Sequence, residues 1–288
     1  LQDGPLPGVT IIVCLWSILV FLGLNIQGGH ADLHRWGYYS ETDIYRGSYW
    51  ALVTMAFCHV QVLHLLFNLF WTWAIGSAFE KAIGSLPLAV FVLTSAFVSS
   101  GLQLGTEGLG IGLSGVGFGL FGFGWVARVR YPEFARVVNN NTIQTFLIWF
   151  AICVFTTYTH IMNIANVAHL TGLLFGLAVG AVVVKPRYRI AAGTGLVVLS
   201  ALSVVPLFWN PLSFDWVAEK AYTLSHSGDY EGAKYYFQRA VKMGKDDKWS
   251  LDGLARIYWI EGDKVHYKET VDRLRVLSPD AASKLDSE

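Results

Sequence analysis

Residues 110–126 read GIGLSGVGFGLFGFGWV, apolar enough to lie inside a lipid bilayer yet carrying one serine, Ser114, among seven glycines. A membrane helix gains nothing from a hydroxyl that only faces lipid, so a serine kept there asks for a partner. The frame Gly112-Leu113-Ser114-Gly115 adds that small residues flank it and let another backbone come close. The stretch decides the fold because it is one of several of its kind.

The whole 288-residue chain is 53% apolar and 15% charged, with eleven Trp and a mean hydropathy of +0.44, beyond what soluble domains carry. It reads as a membrane protein. Lys plus Arg equals Asp plus Glu at 21 each, so the charge balance offers no footprint for nucleic acid. Cys14, Cys58 and Cys153 sit in or beside apolar runs without metal-ligand spacing and read as packing residues, so no metal, cofactor or disulfide framework is expected. A chain opening on Leu1 rather than Met is expected to be trimmed at its N-terminus, and its first apolar run, without a small-residue cleavage site, reads as a retained helix.

Apolar runs of about 17–25 residues match a hydrocarbon layer ~30 Å thick. Seven occur, near 8–26, 60–79, 86–105, 109–127, 142–160, 162–184 and 190–209. Loops on one side carry Lys81, Arg128, Arg130, Arg136, Lys185, Arg187 and Arg189, and the opposite side has only Arg35 and Arg46. By the excess of cations in cytoplasmic loops, the N-terminus is expected inside and the C-terminus outside. The first loop, 27–59, holds Trp36, Tyr38, Tyr39, Tyr45, Tyr49 and Trp50, rings that suit the outer interface, though an ordinary extracellular loop would also carry them.

After Pro211 uninterrupted apolar runs stop and charges become frequent, which marks a second domain. Within it AYTLSHSGDYEGAKYYFQRAV and ARIYWIEGDKVHYKETVDRLR align at a 34-residue period, with Ala221 over Ala255 and Gly228-Asp229 over Gly262-Asp263. That period, with the late Pro279, resembles the tetratricopeptide repeat, a helix-turn-helix unit. A generic pair of helical hairpins is the alternative. Two units are fewer than stacking requires, so the tail either docks on a protein partner or has a degenerate third unit, for which Phe214 to Glu219 is the candidate stretch.

Polar side chains inside spans are functional hypotheses by default. The second span places His64 and Asn68 four apart on one helical face, the fourth has Ser114, and the sixth has His169. Counted from the outer helix ends at ~1.5 Å per residue, all four fall about 5–10 Å below the surface. A shared depth favours one common site. Gly115, Gly119 and Gly122 in the fourth span, and Gly172, Gly176 and Gly180 in the sixth, make small faces that are expected to touch and bring Ser114 to His169. A serine needs an imidazole to remove its proton, and the developing oxyanion needs donors, for which His64, Asn68 and the Ser114 backbone N–H are the candidates. No acidic residue shares this depth, so a Ser114–His169 dyad is expected rather than a triad.

At these residues the sequence resembles the rhomboid family of intramembrane serine proteases: Gly112, Ser114 and Gly115 in the fourth span, His64 and Asn68 in the second, Ala168, His169, Gly172 and Gly176 in the sixth. The resemblance covers about 8–184. It implies an all-α polytopic bundle with a six-helix core (1–187), a wet cavity opening outward, and cleavage of transmembrane protein substrates by a Ser-His dyad in the bilayer. A seventh helix (188–210) and an extracytoplasmic repeat domain (211–288) look like a subset of bacterial members, located in the inner or plasma membrane. The family pattern further suggests that His59 lines the outer rim, Glu80 braces the cytoplasmic end of the second span, and Asn166 lies near the dyad. Two departures stand out. The family's frequent Trp-Arg is Trp50-Ala51 here, which removes an anchor for the first loop, and a frequent Tyr is Phe118, whose ring can still stack on His169.

The expected reaction is then acyl transfer: a substrate helix enters beside the second and fifth spans, frays, and presents a carbonyl to Ser114. The other reading is a non-catalytic relative that binds transmembrane clients with the repeats as adaptor. A proton-coupled transporter would show inverted repeats and midplane ionisable groups, and the sequence has neither pattern.

Overall fold

The computed structural model describes residues 6–26, 32–106, 108–244 and 247–287. Every regular element among them is helical. The chain divides into two compact units, Leu1–Phe208 and Trp209–Glu288.

The first unit runs α1 (Gly8–Ile26), α2 (Glu41–Tyr45), α3 (Ala51–Thr54), α4 (Val62–Ala82), α5 (Ser85–Leu104), α6 (Ser114–Ala127), α7 (Pro132–Val137), α8 (Asn140–Tyr158), α9 (Asn166–Val184) and α10 (Arg189–Phe208). Six of these, α1, α4, α5, α8, α9 and α10, are long and apolar enough to cross a bilayer. This is a multi-pass membrane protein.

The seventh apolar run departs from its expected bounds. Where 109–127 reads as one span, α6 has only 14 residues and begins at Ser114. At 1.5 Å per residue it is about 21 Å long, short of a ~30 Å layer. The cause is Gly112, whose φ of +94° is left-handed and cannot continue a right-handed helix. The sixth run is likewise shorter than read: α9 starts at Asn166 rather than 162, and residues 159–165 form a true connection in which His160 takes φ 57°. Lys81, expected in a loop, falls in the last turn of α4.

The bundle is centred on α6. Phe121 and Phe123 are fully buried, and Phe123 packs with Phe79, Phe91 and Phe134 at ring-centroid distances of 4.5–5.8 Å. On its other side α6 meets α9 through glycine. A methyl group added to Gly172 would overlap the carbonyl oxygen of Gly115, and one added to Gly176 would overlap that of Gly119. The two backbones therefore touch over two turns, as the small faces of the sequence require.

Glu80 ties the far end together. Its carboxylate accepts the Val9 and Thr10 N–H groups, at 2.8 and 3.0 Å, and the Thr10 and Ser85 hydroxyls, at 2.9 and 2.7 Å. It thus supplies acceptors to the starts of both α1 and α5, where helical N–H groups have no partner of their own.

Of the first loop, 27–31 lie outside the described residues; the rest is folded, not open. Ser40 and Asp43 form a reciprocal cap on α2, and Ile44, Ala51, Leu52 and Met55 pack with Leu104 and Leu207. Ala51 is completely buried. The position after Trp50 is an apolar contact here, so packing takes the place of an arginine anchor.

The second unit contains α11 (Phe214–His226), α12 (Tyr230–Lys242), α13 (Lys248–Glu261), α14 (Lys264–Leu277) and α15 (Pro279–Ser287). These are two helical hairpins and a closing helix. Ser213, Asp229, Asp247 and Asp263 each cap the helix that follows. Gly228 and Gly262 turn the two hairpins with φ of 83° and 75°. Ala221 and Ala255 are wholly buried at the helix crossings. The proposed degenerate unit at Phe214 to Glu219 is corrected: that stretch is the first part of α11, hence of the first hairpin. The additional element lies at the other end, where Ala282 and Leu285 of α15 close a core with Leu251, Ala255, Val271 and Leu274.

Candidate active site

Ser114 is the first residue of α6 and His169 lies in the first turn of α9. Because α6 and α9 are in backbone contact just below, the two side chains meet: His169 Nε2 is 2.8 Å from Ser114 Oγ. A serine deeper in a helix would give its proton to the carbonyl four residues back. At the first helical position that carbonyl belongs to no helix, and the hydroxyl is left for the imidazole.

With Nε2 accepting the Ser114 proton, the ring hydrogen sits on Nδ1. That nitrogen is buried and has no hydrogen-bond partner among the described residues. No carboxylate among them orients this imidazole. Phe118, one turn along α6 from Ser114, stacks on it instead, with centroids 4.7 Å apart and planes 23° apart. The helix start of α9 is itself held, since the Ala168 N–H donates to Oε1 of Gln103 at 3.0 Å. Gln103 is 2% exposed, in the last turn of α5, and sequence reasoning missed it. Its signal was available: it is the one amide side chain in an otherwise apolar or hydroxylic helix.

Of the expected oxyanion donors, the Ser114 N–H lies at the N-terminus of α6, where first-turn N–H groups point free of the helix and the dipole is positive. His64 packs against Gly112, whose missing side chain makes the room: a Cβ there would sit 2.7 Å from the His64 ring. Asn68 is already engaged. Its amide nitrogen donates to His59 Nε2 at 3.1 Å, and the Leu113 N–H points to the same atom at 3.4 Å. His59 Nδ1 in turn donates to the Phe57 carbonyl at 3.1 Å. His59 is fully buried, which corrects its placement on an outer rim: it is an internal brace between α4 and the loop before Ser114.

Asn166 begins α9, and its amide nitrogen donates to Thr157 Oγ1 of α8 at 2.8 Å. Gly115, Gly172 and Gly176 set the helix contact described above. Ser114, Gly115, Gly112, Ala165 and Ala168 line a narrow cleft with room for about one water molecule. Among the described residues no cluster of three His, Cys, Asp or Glu could hold a metal.

Residues 46–186 match the family model described as Rhomboid domain. The matched stretch is just under half of the chain, and over it the chain is similar to that family. The matched region runs from the end of α2 to the turn after α9, so it contains His59, His64, Asn68, Ser114 and His169. Helices α1 and α10 and the second unit lie beyond it.

Proposed function

We propose that this protein is an intramembrane serine endopeptidase that hydrolyses peptide bonds in or near the transmembrane segments of other proteins. The observation that carries the reading is the 2.8 Å contact between Ser114 Oγ and His169 Nε2 at the start of two helices in glycine contact. His169 Nε2 takes the Ser114 proton as Oγ bonds to the substrate carbonyl carbon. The Ser114 N–H and His64 hold the oxyanion, with the second N–H of the Asn68 amide, the one not given to His59, as a further donor. The C–N bond then breaks as His169 returns the proton to the leaving amine. Water, deprotonated by the same nitrogen, hydrolyses the ester to a carboxylate and frees Ser114.

A helical substrate must fray first, because its carbonyls are already hydrogen-bonded. The cleft is also too narrow for a peptide, so a wall has to move on binding. Seven cations at one set of helix ends and connections against two at the other support a cytoplasmic N-terminus, a site near the outer face and an extracytoplasmic second unit. That unit has a 34-residue period and paired helices that resemble tetratricopeptide repeats, which suits recruiting a protein partner or substrate.

The test is proteolysis of a transmembrane substrate in reconstituted membranes together with labelling by a serine-directed fluorophosphonate. Wild type should cut and label. Ser114→Ala should do neither, and His169→Ala should lose roughly 10²- to 10⁴-fold. A wild-type protein that binds clients but neither cuts nor labels would instead make it a non-catalytic client binder. Removing residues 212–288 should slow cleavage of a full-length substrate more than that of a bare transmembrane peptide; an unchanged ratio would dismiss recruitment.

A further inference from the structure

No described residue hydrogen-bonds to His169 Nδ1, so beyond the Phe118 stack the position of this imidazole depends on where the first turn of α9 is held. One hold comes from Gln103 on α5. The other comes from α8, chiefly through one hydroxyl, with a longer contact of 3.5 Å from the Asn166 amide to the Cys153 carbonyl beside it. Thr157 Oγ1 accepts the Asn166 amide at 2.8 Å and the Ile164 N–H at 3.3 Å, and donates to the Cys153 carbonyl at 3.0 Å. A hydroxyl has one donor and two acceptor sites, so this one is saturated.

The rest of α8 gives little support at this end. Its buried side chains are Thr142, Ile143 and Phe146 in the first two turns, and Cys153. Val154, Phe155 and Tyr158 are exposed by 43%, 61% and 83%. The outer end of α8 is thus tied to the bundle chiefly by Cys153 and by the bonds to Thr157, and these reach the chain three and five residues before His169.

Resting on the proteolytic reading above, we infer that Thr157 is a positioning residue: through Asn166 and Ile164 it fixes the first turn of α9 and so holds His169 Nε2 in reach of Ser114. The hydroxyl couples α8 to the dyad. When α8 is displaced at its outer end, the same bond transmits that displacement to the base.

The experiment compares wild type, Thr157→Val and Thr157→Ser in reconstituted membranes. Valine keeps the shape and loses the hydroxyl; serine keeps the hydroxyl. The readouts are the rate of Ser114 labelling by a fluorophosphonate, kcat and KM on a transmembrane substrate, the ¹⁵N resonance of His169 Nε2, and the thermal midpoint. Thr157→Val should lower labelling and kcat roughly 10- to 100-fold with KM and the midpoint unchanged. Its Nε2 signal should move toward the position found in Ser114→Ala. Thr157→Ser should behave as wild type. Asn166→Ala carries the same comparison if the valine variant does not fold. An unmoved Nε2 signal in the valine variant, or a serine variant as slow as the valine one, overturns the inference. Should the wild type neither cut nor label, the hydrolase reading falls, and the resonance still decides whether Thr157 sets the imidazole.

Discussion

The Phe118 ring lies nearly parallel to the His169 ring, 4.7 Å from centroid to centroid. A triad orients its histidine by a hydrogen bond at Nδ1, and here a stacked face does that work. Aromatic pairs contribute about 0.5–1.5 kcal/mol beyond their buried area. Phe118→Leu should therefore reduce kcat up to about tenfold, while Phe118→Tyr keeps the rate. Initial rates with each variant check this; a leucine variant at full speed would show that stacking is incidental.

Glycine contact between α6 and α9 gives a sharper expectation. Gly172→Ala and Gly176→Ala drive a methyl into a backbone carbonyl, which no rotamer change relieves, so each should cost about 3 kcal/mol or more. Gly193 of α10 faces open space, and Gly193→Ala should stay within about 1 kcal/mol of wild type. Unfolding midpoints in detergent micelles distinguish the two classes.

Glu80 serves four donors at the starts of two helices. Glu80→Ala leaves them without an acceptor and should destabilise the first unit by roughly 3 kcal/mol; Glu80→Gln, which keeps one acceptor oxygen, should cost less. Equal losses for the two variants would mean that the carboxylate shape, and not its acceptors, matters.

Acid should loosen the second unit at a definite place. Asp263 caps α14, and the His266 backbone N–H, then its side chain, hold the Asp263 carboxyl below its usual value. A lowered carboxyl stabilises fully above its unfolded pKa, near 4, and that share vanishes as pH falls through the folded value. Asp263→Asn keeps a cap that does not titrate. The variant's unfolding midpoint should thus fall less steeply than that of wild type below about pH 4, as followed in the full chain by the second unit's far-UV transition.

The spans and the meeting of Ser114 with His169 were legible because lipid leaves a simple code: apolar length for helices, small residues where helices touch, polar residues where something happens. The start of α6 was not. Composition is as apolar at 109–113 as at 116–120, and only the left-handed turn at Gly112 separates loop from helix. Thr157 and Gln103 escaped for another reason. A helical Thr ordinarily satisfies itself on its own carbonyls, which Thr157 also does at Cys153, so its reception of Asn166 across the connection leaves no mark in the pattern. Gln103 stands out in α5, but its partner is 65 residues away. In the second unit, the repeat period fixed where helices pair, while the closing role of α15 depended on packing that no period encodes.

Under the proposed chemistry, the brevity of α6 turns a length into a ruler. With its basic end, at Arg128 and Arg130, at the inner face as proposed, a rod about 21 Å long would carry its serine to a set height and stop. Such an enzyme would choose its scissile bond by altitude before it reads any neighbouring side chain, and one extra turn in α6 would move the cut outward along every client by the same step.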